Sequence, residues 1–317
     1  MPSLRDVKRR ITSISNTSKV THALEAVSAT KMRRWQERTL SARPFAIKAI
    51  ELLAELKKRS PMYAVIKQGK LKPDAPILMI VISADKGLCG GHNARLMARI
   101  SNFQFPISKV AYIALGRYGR DYLKRRQKEI IMEEVGFGEH ITRERIKELY
   151  EFIEEGFSRG TFAKVLLAYT EFQTTLKQEP KVRQLLPVDE EELRAIVESI
   201  TPRSGKYAEL QIQNSLTSEA SVLRRQSIKI QNFEYMYEPS AKDIIPSLIR
   251  QLIQVAMFHM VLESNASEHS ARMIAMKSAT DNAKEFLKTL NLQYNKARQG
   301  EITKGVLEVA AGAEAFH

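Results

Sequence analysis

The residues best suited to chemistry stand in the turn "SADKGLCGGHN" (83–93), which follows the apolar run "ILMIVI" (77–82). Glycine-rich turns between a strand and a helix bind phosphates in many open α/β sheets. This turn, however, has neither the G-x-x-x-x-G-K-[ST] nor the G-x-G-x-x-G spacing, and no lysine follows its glycines. The sequence therefore favours a turn that serves structure or partner contact. A nucleotide-dependent α/β enzyme that uses this turn stays as an alternative hypothesis.

Cys89 is the only cysteine of the chain, and His92 follows it by three residues. A thiolate–imidazole pair needs a third group to orient the imidazole, and the sequence shows no such group nearby. We interpret Cys89 as a small apolar turn residue, and a single cysteine excludes an internal disulfide. The histidines do not form an H-E-x-x-H motif. We predict no catalytic residue, no metal ion and no cofactor.

Short apolar runs alternate with helical patterns in the middle of the chain. The predicted strands are 77–82, 110–115, 129–135, 164–170 and 182–187, and the predicted helices are 93–101, 119–127 and 142–160. Such alternation is typical of a mostly parallel sheet flanked by helices. The polar stretch 188–232 is predicted to be an insertion that leads into the last helix.

Both ends of the chain predict very long helices. Residues 3–58 contain no glycine and one proline, which predicts a helix roughly 80 Å long. Residues 240–311 predict a second helix on the order of 100 Å long. Apolar and small residues recur in it at alternating steps of three and four, the pattern of a coiled-coil seam: Ile245, Leu248, Leu252, Val255, His259, Leu262, Ala266, His269, Met273, Met276, Thr280, Ala283, Leu287, Leu290, Tyr294 and Ala297.

The first helix carries a shorter seam that could face this one. It runs through Leu4, Val7, Ile11 and Ile14, breaks at "NTS" (16–18), and is predicted to resume at Val20, Leu24 and Val27. Because the two helices stand far apart in the chain, an antiparallel intramolecular pair is the economical arrangement. The predicted fold class is thus α/β plus long α: an antiparallel coiled coil of N- and C-terminal helices flanking a Rossmann-like α/β domain. The predicted bounds are 1–60 and 239–317 for the helices and 61–238 for the domain.

The chain is strongly basic, with a net charge of +14, and residues 1–59 hold 14 Lys and Arg against five Asp and Glu. Such a surplus indicates an acidic partner. A basic coiled-coil nucleic-acid binder is one hypothesis, because "KRR" (8–10) and "KMRRWQER" (31–38) could meet phosphates. A solvated helical face explains these runs equally well. No apolar run reaches the roughly 18 residues of a membrane span, and the N-terminus lacks the apolar core of a signal peptide, so we expect no direct membrane insertion.

Three segments together resemble the gamma subunit of F-type ATP synthase. They are "LRDVKRRITSISNTSKVTHALEAVSATKMRR" at the N-terminus, "SADKGLCGGHN" after the first strand, and "ASEHSARMIAMKSATDNAKEF…LNLQYNKARQGEITKGVLEVAAGAEA" at the C-terminus. The resemblance covers both ends of the chain and the start of its middle domain. It implies the fold that the residues themselves predict.

The resemblance also implies a function and a set of partners. It implies a central-stalk rotor that transmits torque from the membrane c ring to a hexamer of alpha and beta subunits, so that proton flow drives ATP synthesis. It implies contacts with the epsilon subunit, no binding of nucleic acid, and no catalysis by this chain itself. The implied location is peripheral, on the cytoplasmic face of the bacterial plasma membrane or an equivalent energy-coupling membrane.

The resemblance carries over to particular residues as contacts with the beta subunit. Arg298, Gln299 and Thr303, in and after "NKARQ", match the contact with a loop of an empty beta subunit. Leu24 matches a position beside the acidic lever segment of beta. The turn with Asp85, Lys86, Leu88 and Cys89 matches a turn that lies under the same lever. The apolar tail "VLEVAAGAEAF" is expected to sit in the apolar upper sleeve of the hexamer.

Overall fold

The computed structural model describes residues 4–59, 75–103, 109–187 and 241–314. The predicted insertion at 188–232 lies outside the described residues. Among the helices of the described ranges, none has an apolar stretch long enough to cross a membrane.

Five helices and five strands make up the described chain. The helices are α1 (Leu4–Arg59), α2 (His92–Ser101), α3 (Arg117–Arg125), α4 (Arg143–Ser158) and α5 (Ala241–Glu314). The strands are β1 (Ile77–Ile82), β2 (Val110–Leu115), β3 (Ile130–Glu134), β4 (Lys164–Phe172) and β5 (Gln178–Leu186). The sequence predicted β1 and β2 to the residue, and the other strands and helices within a few residues of their ends.

The strands form one sheet in the order β3-β2-β1-β4-β5. β1 pairs in parallel with β2 and with β4, and β2 pairs in parallel with β3. Only the edge strand β5 is antiparallel, paired with β4. The predicted mostly parallel, helix-flanked sheet is confirmed, and the carboxyl ends of its parallel strands meet at one edge, where the turn after β1 lies.

Side chains of β1 alternate between two apolar cores, as the two-residue period of a strand requires. Leu78, Ile80 and Ile82 face a core that also holds Trp35 of α1 and buried residues of α4 and α5. Ile77, Met79 and Val81 face the opposite core, which α2 and α3 cover with Leu96, Met97, Ile100 and Leu123. Because both faces are covered, β1 reads as a continuous apolar run.

The contacts between residues divide the chain into two compact units. The first unit holds residues Met1–Thr30 and Arg272–His317, and the second holds Lys31–Ala271. Both long helices thus contribute to both units. The predicted domain bounds group residues by element and stay a prediction.

In α5, the predicted seam coincides with the buried side. Every seam residue from Leu248 to Ala297 is buried or half-buried. His259, in the second unit, is fully buried with its Nδ1 3.9 Å from Oε1 of Glu263. From Arg298 to Val309, by contrast, every side chain is exposed. The coiled-coil pattern therefore ends near Ala297, although the helix continues.

In α1, the prediction that the seam breaks and resumes at Val20 and Val27 is wrong. Val20 and Val27 are 58% and 53% exposed, whereas Thr21 and Ser28 are buried. At about 100° per residue, a step of seven from Ile14 returns to the same side of the helix at residue 21, and a step of six does not. The seam thus continues without a break through small hydroxyl residues.

Those hydroxyls are satisfied inside the first unit. Thr21 Oγ1 and Thr280 Oγ1 lie 2.7 Å apart, and the Thr280 hydroxyl can also donate to the Met276 carbonyl at 2.9 Å. Thr21 lies near the end of the α1 segment of this unit, and Thr280 near the start of its α5 segment. The two helices therefore run antiparallel, as predicted.

Candidate partner-contact sites

Asp85 fixes the turn after β1 by accepting two backbone hydrogen bonds. Its Oδ1 accepts from the Arg117 N–H at 2.9 Å, and its Oδ2 accepts from the Gly136 N–H at 2.9 Å. These amides belong to the chain just after β2 and just after β3. One carboxylate thus ties together the ends of three adjacent strands, so the half-buried Asp85 orders the turn.

Ser83 packs the same turn closely against the start of α3. Its Oγ accepts from the Gly119 N–H at 2.8 Å, and its N–H donates to the Leu115 carbonyl at 2.8 Å. Gly116 has a φ of +109°, and a Cβ at that position would lie 2.1 Å from the Ser83 carbonyl oxygen. Only glycine allows this approach. Ser83 and Gly116 were not singled out by the sequence, because their partner lies more than thirty residues away.

The tip of the turn projects two side chains of different character. Lys86 is exposed, and Leu88 is 64% exposed with a φ of +63°. A branched apolar residue is rarely found in this left-handed region or in so exposed a place. Lys86 and Leu88 are therefore the residues of this turn whose side chains are exposed at its tip.

Cys89 serves packing inside the turn. Its side chain is 2% exposed and lies in a small cluster with Ala84 and Ala271 of α5. Its Sγ accepts a hydrogen bond from Nδ2 of Asn93 at 3.4 Å. Reactive cysteines are partly exposed in electropositive surroundings. The geometry agrees with the interpretation of Cys89 as a small turn residue, and its thiol can also donate to the Lys86 carbonyl at 4.0 Å.

Glu139 connects the tip of the turn to α1. Its Oε1 accepts from Nζ of Lys31 at 2.5 Å, and its Oε2 lies 3.6 Å from Nζ of Lys86. The hydrogen bond from Lys31 and the charges of both lysines lower the pKa of the Glu139 carboxyl. Sequence reasoning missed Glu139; the only signal was a lone acid beside the glycine-rich "GFG" that precedes it.

The remaining predicted contacts lie in the first unit. Leu24 is half-buried on α1, next to the seam residue Thr21. Arg298, Gln299 and Thr303 are exposed on α5, and the Thr303 hydroxyl donates to the Gln299 carbonyl at 2.9 Å. Arg298 and Gln299 are adjacent in the chain, so their side chains leave the helix about 100° apart.

The exposed end of α5 is unusually apolar for a surface helix. Ile302, Val306, Leu307 and Val309 are 58%, 63%, 63% and 75% exposed. Exposed apolar side chains that cluster along one element mark surfaces that other proteins cover. The structure thus brings Asp85, Lys86, Leu88 and Cys89 into one turn of the second unit, and places Arg298, Gln299 and Thr303 on an uncovered helix end of the first.

These features define a class of protein in which a coiled coil of two long antiparallel helices and an α/β domain belong to one chain. Comparison with known proteins agrees. A family model described as ATP synthase matches residues 3–316. The ATP synthase gamma chain of Pelotomaculum thermopropionicum is 36% identical over 322 residues, covering 100% of both chains. That of Roseiflexus sp. is 34% identical over 324 residues, covering 100% of this chain and 99% of the relative.

Solved structures share the fold. A chain of the Euglena gracilis mitochondrial ATP synthase, from a structure of OSCP, F1 and c-ring, aligns with a TM-score of 0.61 at 15% identity, covering 99% of this chain and 94% of that one. A chain of the central stalk and c-ring of the Tetrahymena thermophila enzyme aligns with a TM-score of 0.53 at 17% identity, covering 82% and 99%. The chain belongs to the family of ATP synthase gamma chains.

Proposed function

We propose that this chain is a rotor that couples proton flow through a membrane c ring to ATP synthesis in a hexamer of alpha and beta subunits. The observation that carries the proposal is the end of α5, where every side chain from Arg298 to Val309 is exposed and several are apolar. A helix end of this kind needs cover from another protein. In solved structures of similar fold, the aligned chains belong to assemblies with F1 and a c-ring.

In such a complex, rotation is coupled to catalysis because the rotor makes different contacts with each surrounding subunit. A rotor that presents different side chains at each angle favours a different conformation of each surrounding subunit, and the energy available equals the difference in contact free energy. We propose that catalysis belongs to those subunits and that this chain has no ATPase activity of its own. Its ordered turn supports this role, since Asp85 and Cys89 are both engaged within the chain.

Of the eight predicted residues, we propose six as contacts with beta, in two groups, and the other two as supports of the turn after β1. Arg298, Gln299 and Thr303 would meet one loop of beta, and Leu24 would lie beside its acidic lever. In the turn after β1, Lys86 and Leu88 would touch the lever, while Asp85 and Cys89 would hold the turn in shape. The net charge of +14 favours acidic lever segments as the counterpart. Epsilon and the c ring would bind the α/β domain, which would place the chain peripherally at the cytoplasmic face of an energy-coupling membrane.

The test is a pair of double variants in an assembled, membrane-reconstituted complex. Arg298→Ala with Gln299→Ala removes a cation and an amide from the proposed contact. The matched control, Lys296→Ala with Asn295→Ala, removes the same two types of group from exposed positions of the same helix. Loss of one charge-assisted hydrogen bond is worth at least about 1.4 kcal/mol, or about tenfold.

We therefore expect the contact variant to synthesise ATP about tenfold more slowly than the control, with the helix content of both unchanged by circular dichroism. Equal synthesis rates in the two variants would contradict the assignment of these residues. ATP hydrolysis by the isolated chain at the rate of the complex would contradict the function itself.

A further inference from the structure

The carboxyl edge of the sheet holds one short stretch of α5, residues 265–271, by hydrogen bonds. On one side, the Ser267 hydroxyl donates to the Thr170 carbonyl of β4 at 3.1 Å. On the far side, Nδ2 of Asn265 donates to the Gly138 carbonyl, in the loop after β3, at 2.8 Å. At about 100° per residue, Ser267 and Asn265 leave the helix about 160° apart. Hydrogen bonds thus reach this part of α5 from opposite sides.

Ser270 joins the same stretch to the hairpin between β4 and β5. Its hydroxyl donates to the Thr175 carbonyl at 2.7 Å and can accept from Nε2 of Gln178 at 3.4 Å. Nε2 of Gln178 also donates to the Thr175 carbonyl at 2.6 Å, so the three groups are bonded to one another. The next residue, Ala271, packs against Cys89 in the turn after β1. The loops after three neighbouring strands of the edge and the hairpin therefore all contact this stretch of α5.

Four buried polar side chains make these hydrogen bonds, and we call them the collar: Asn265, Ser267, Ser270 and Gln178. A buried hydrogen bond adds only about 1 kcal/mol of net stability, because folding exchanges bonds to water for bonds within the protein. A network of such bonds also selects one arrangement of the groups it joins, since hydrogen bonds require direction and apolar contacts do not. The collar therefore fixes the angle at which α5 is set about its own axis in the α/β domain.

The collar lies where α5 leaves the second unit. That unit ends at Ala271, and α5 continues through Arg272 into the first unit. The acceptors on the side of the sheet are main-chain carbonyls, those of Gly138, Thr170 and Thr175. A force that turns the domain about the axis of α5 is thus passed from the backbone of the sheet to side chains of the helix.

We propose that the collar residues are positioning residues of the rotor, which prevent α5 from rolling within the α/β domain so that torque on the domain turns the helix at once. This rests on the proposed function, and it adds four buried residues to the eight predicted ones. If the helix could roll, part of each rotational step would be taken up inside the domain and would not reach the rest of α5.

The angular fluctuation of the domain in a stalled complex measures the stiffness of this junction. The complex of alpha, beta and this chain is fixed to a surface by its hexamer and stalled with a non-hydrolysable ATP analogue. A bead is attached just after α3 through Lys128→Cys, where the side chain is exposed, and the native Cys89 is buried. The variance of the bead angle is inversely proportional to the torsional stiffness between the bead and the hexamer.

Ser270→Ala removes two of the four hydrogen bonds that α5 makes in the collar. Halving the stiffness of the collar, in series with a shaft of similar stiffness, should raise the variance of the bead angle about 1.5-fold. Gln178→Met keeps the length of the side chain and removes one of these bonds from the side of the sheet, so it should raise the variance by a smaller factor. Ser278→Ala is the matched control, because Ser278 is exposed on the same helix, and it should leave the variance unchanged.

Two further measurements separate positioning from a contribution to stability alone. ATP hydrolysis by the same complex without a load on the domain requires no torque through the collar, so Ser270→Ala should hydrolyse ATP at the rate of Ser278→Ala. Urea titration of the full chain gives the loss of stability in each variant. A residue that only stabilises the fold would lower the urea midpoint and leave the variance of the bead angle at the control value.

The outcomes distinguish this inference from the proposed function. A larger variance in both collar variants, with hydrolysis at the control rate, supports the collar as a positioning device. Equal variances in Ser270→Ala, Gln178→Met and Ser278→Ala overturn it, even where ATP still drives rotation of the bead. A bead that never rotates on a complex that hydrolyses ATP would instead overturn the rotor function itself.

Discussion

The hydroxyl pair Thr21 and Thr280 offers a quantitative test of how the seam is held together. The two hydroxyl oxygens are 2.7 Å apart and buried, and each lies within reach of a carbonyl of its own helix, Ser18 at 3.1 Å and Met276 at 2.9 Å. Two hydroxyls have two protons, so two of these three hydrogen bonds form at once. One joins the two helices, and the other returns to a carbonyl.

Thr280→Val keeps the shape and branching of the side chain and removes its hydroxyl. Thr21 then donates to the Ser18 carbonyl, so the net loss is one buried hydrogen bond, about 1 kcal/mol. Thr21→Val should cost the same by the same argument. The double variant leaves no buried hydroxyl and places two apolar groups of equal shape in contact, which is nearly neutral. Because each single variant costs about 1 kcal/mol and the double variant almost nothing, we expect a coupling free energy of about 2 kcal/mol in the double-mutant cycle.

Amide hydrogen exchange of the full chain measures this locally. Peptides covering 14–30 and 272–290 should exchange about fivefold faster in each single variant, the factor that corresponds to about 1 kcal/mol, and near the wild-type rate in the double variant. Thr17→Val is the control, because Thr17 is exposed and bonds only to the Ser13 carbonyl in the described contacts. Single variants that behave like the control, or a double variant that equals their sum, would refute the reasoning.

Four further predictions concern the second unit and the end of α5. Gly138→Ala should lower the free energy of unfolding by about 1–2 kcal/mol, because its Cβ would lie 2.5 Å from Oδ1 of Asn265, and urea titration measures this loss. Gly300→Ala, in open space on α5, should raise the local stability of that helix by roughly 0.5–1 kcal/mol, and hydrogen exchange of the helix amides measures this gain. The lowered pKa of Glu139 stabilises the fold above the ordinary carboxyl pKa, and this contribution is lost as pH falls through the folded value. Urea midpoints measured against pH should therefore fall less steeply in acid for Glu139→Gln, and identical profiles would contradict this. Burial raises the pKa of the Tyr169 phenol well above 10.0. The contribution of this phenol to the stability of the fold is therefore present below pH 10.0 and is lost as the pH rises further. In an absorbance titration of the folded chain, Tyr169→Phe should remove one phenol that ionises later than the others.

The sequence predicted elements well where a single local pattern decides them. β1 and β2 are apolar runs bounded by turn residues and buried on both faces, so their limits follow from composition. The seam of α5 follows from its spacing, because apolar or small residues fill its positions through Ala297. The antiparallel pairing was predicted because the two long helices stand far apart in the chain and an intramolecular pair is the simplest arrangement for them.

The prediction of buried residues failed at helix positions where the buried side chain is polar and its exposed neighbour is apolar. The seam of α1 passes through Thr21 and Ser28, whose hydroxyls bond to groups that hydropathy does not record, while the apolar Val20 and Val27 are exposed. At the turn after β1, the sequence did not show which side chains hold the turn in shape and which are exposed at its tip. The amides that Asp85 accepts from come 32 and 51 residues later, and only the folded sheet brings them together.

The hydrogen bonds of Asp85 also affect how quickly contacts at this turn can be made and released. A loop that is already ordered loses little conformational entropy when a partner arrives, so association needs no induced rearrangement. Since only Lys86 and Leu88 project from it, the contact area stays small and dissociation stays fast. Under the proposed function, the turn meets a new subunit repeatedly in every revolution. Such a preorganised contact of small area forms and dissociates quickly, so it adds little resistance to rotation.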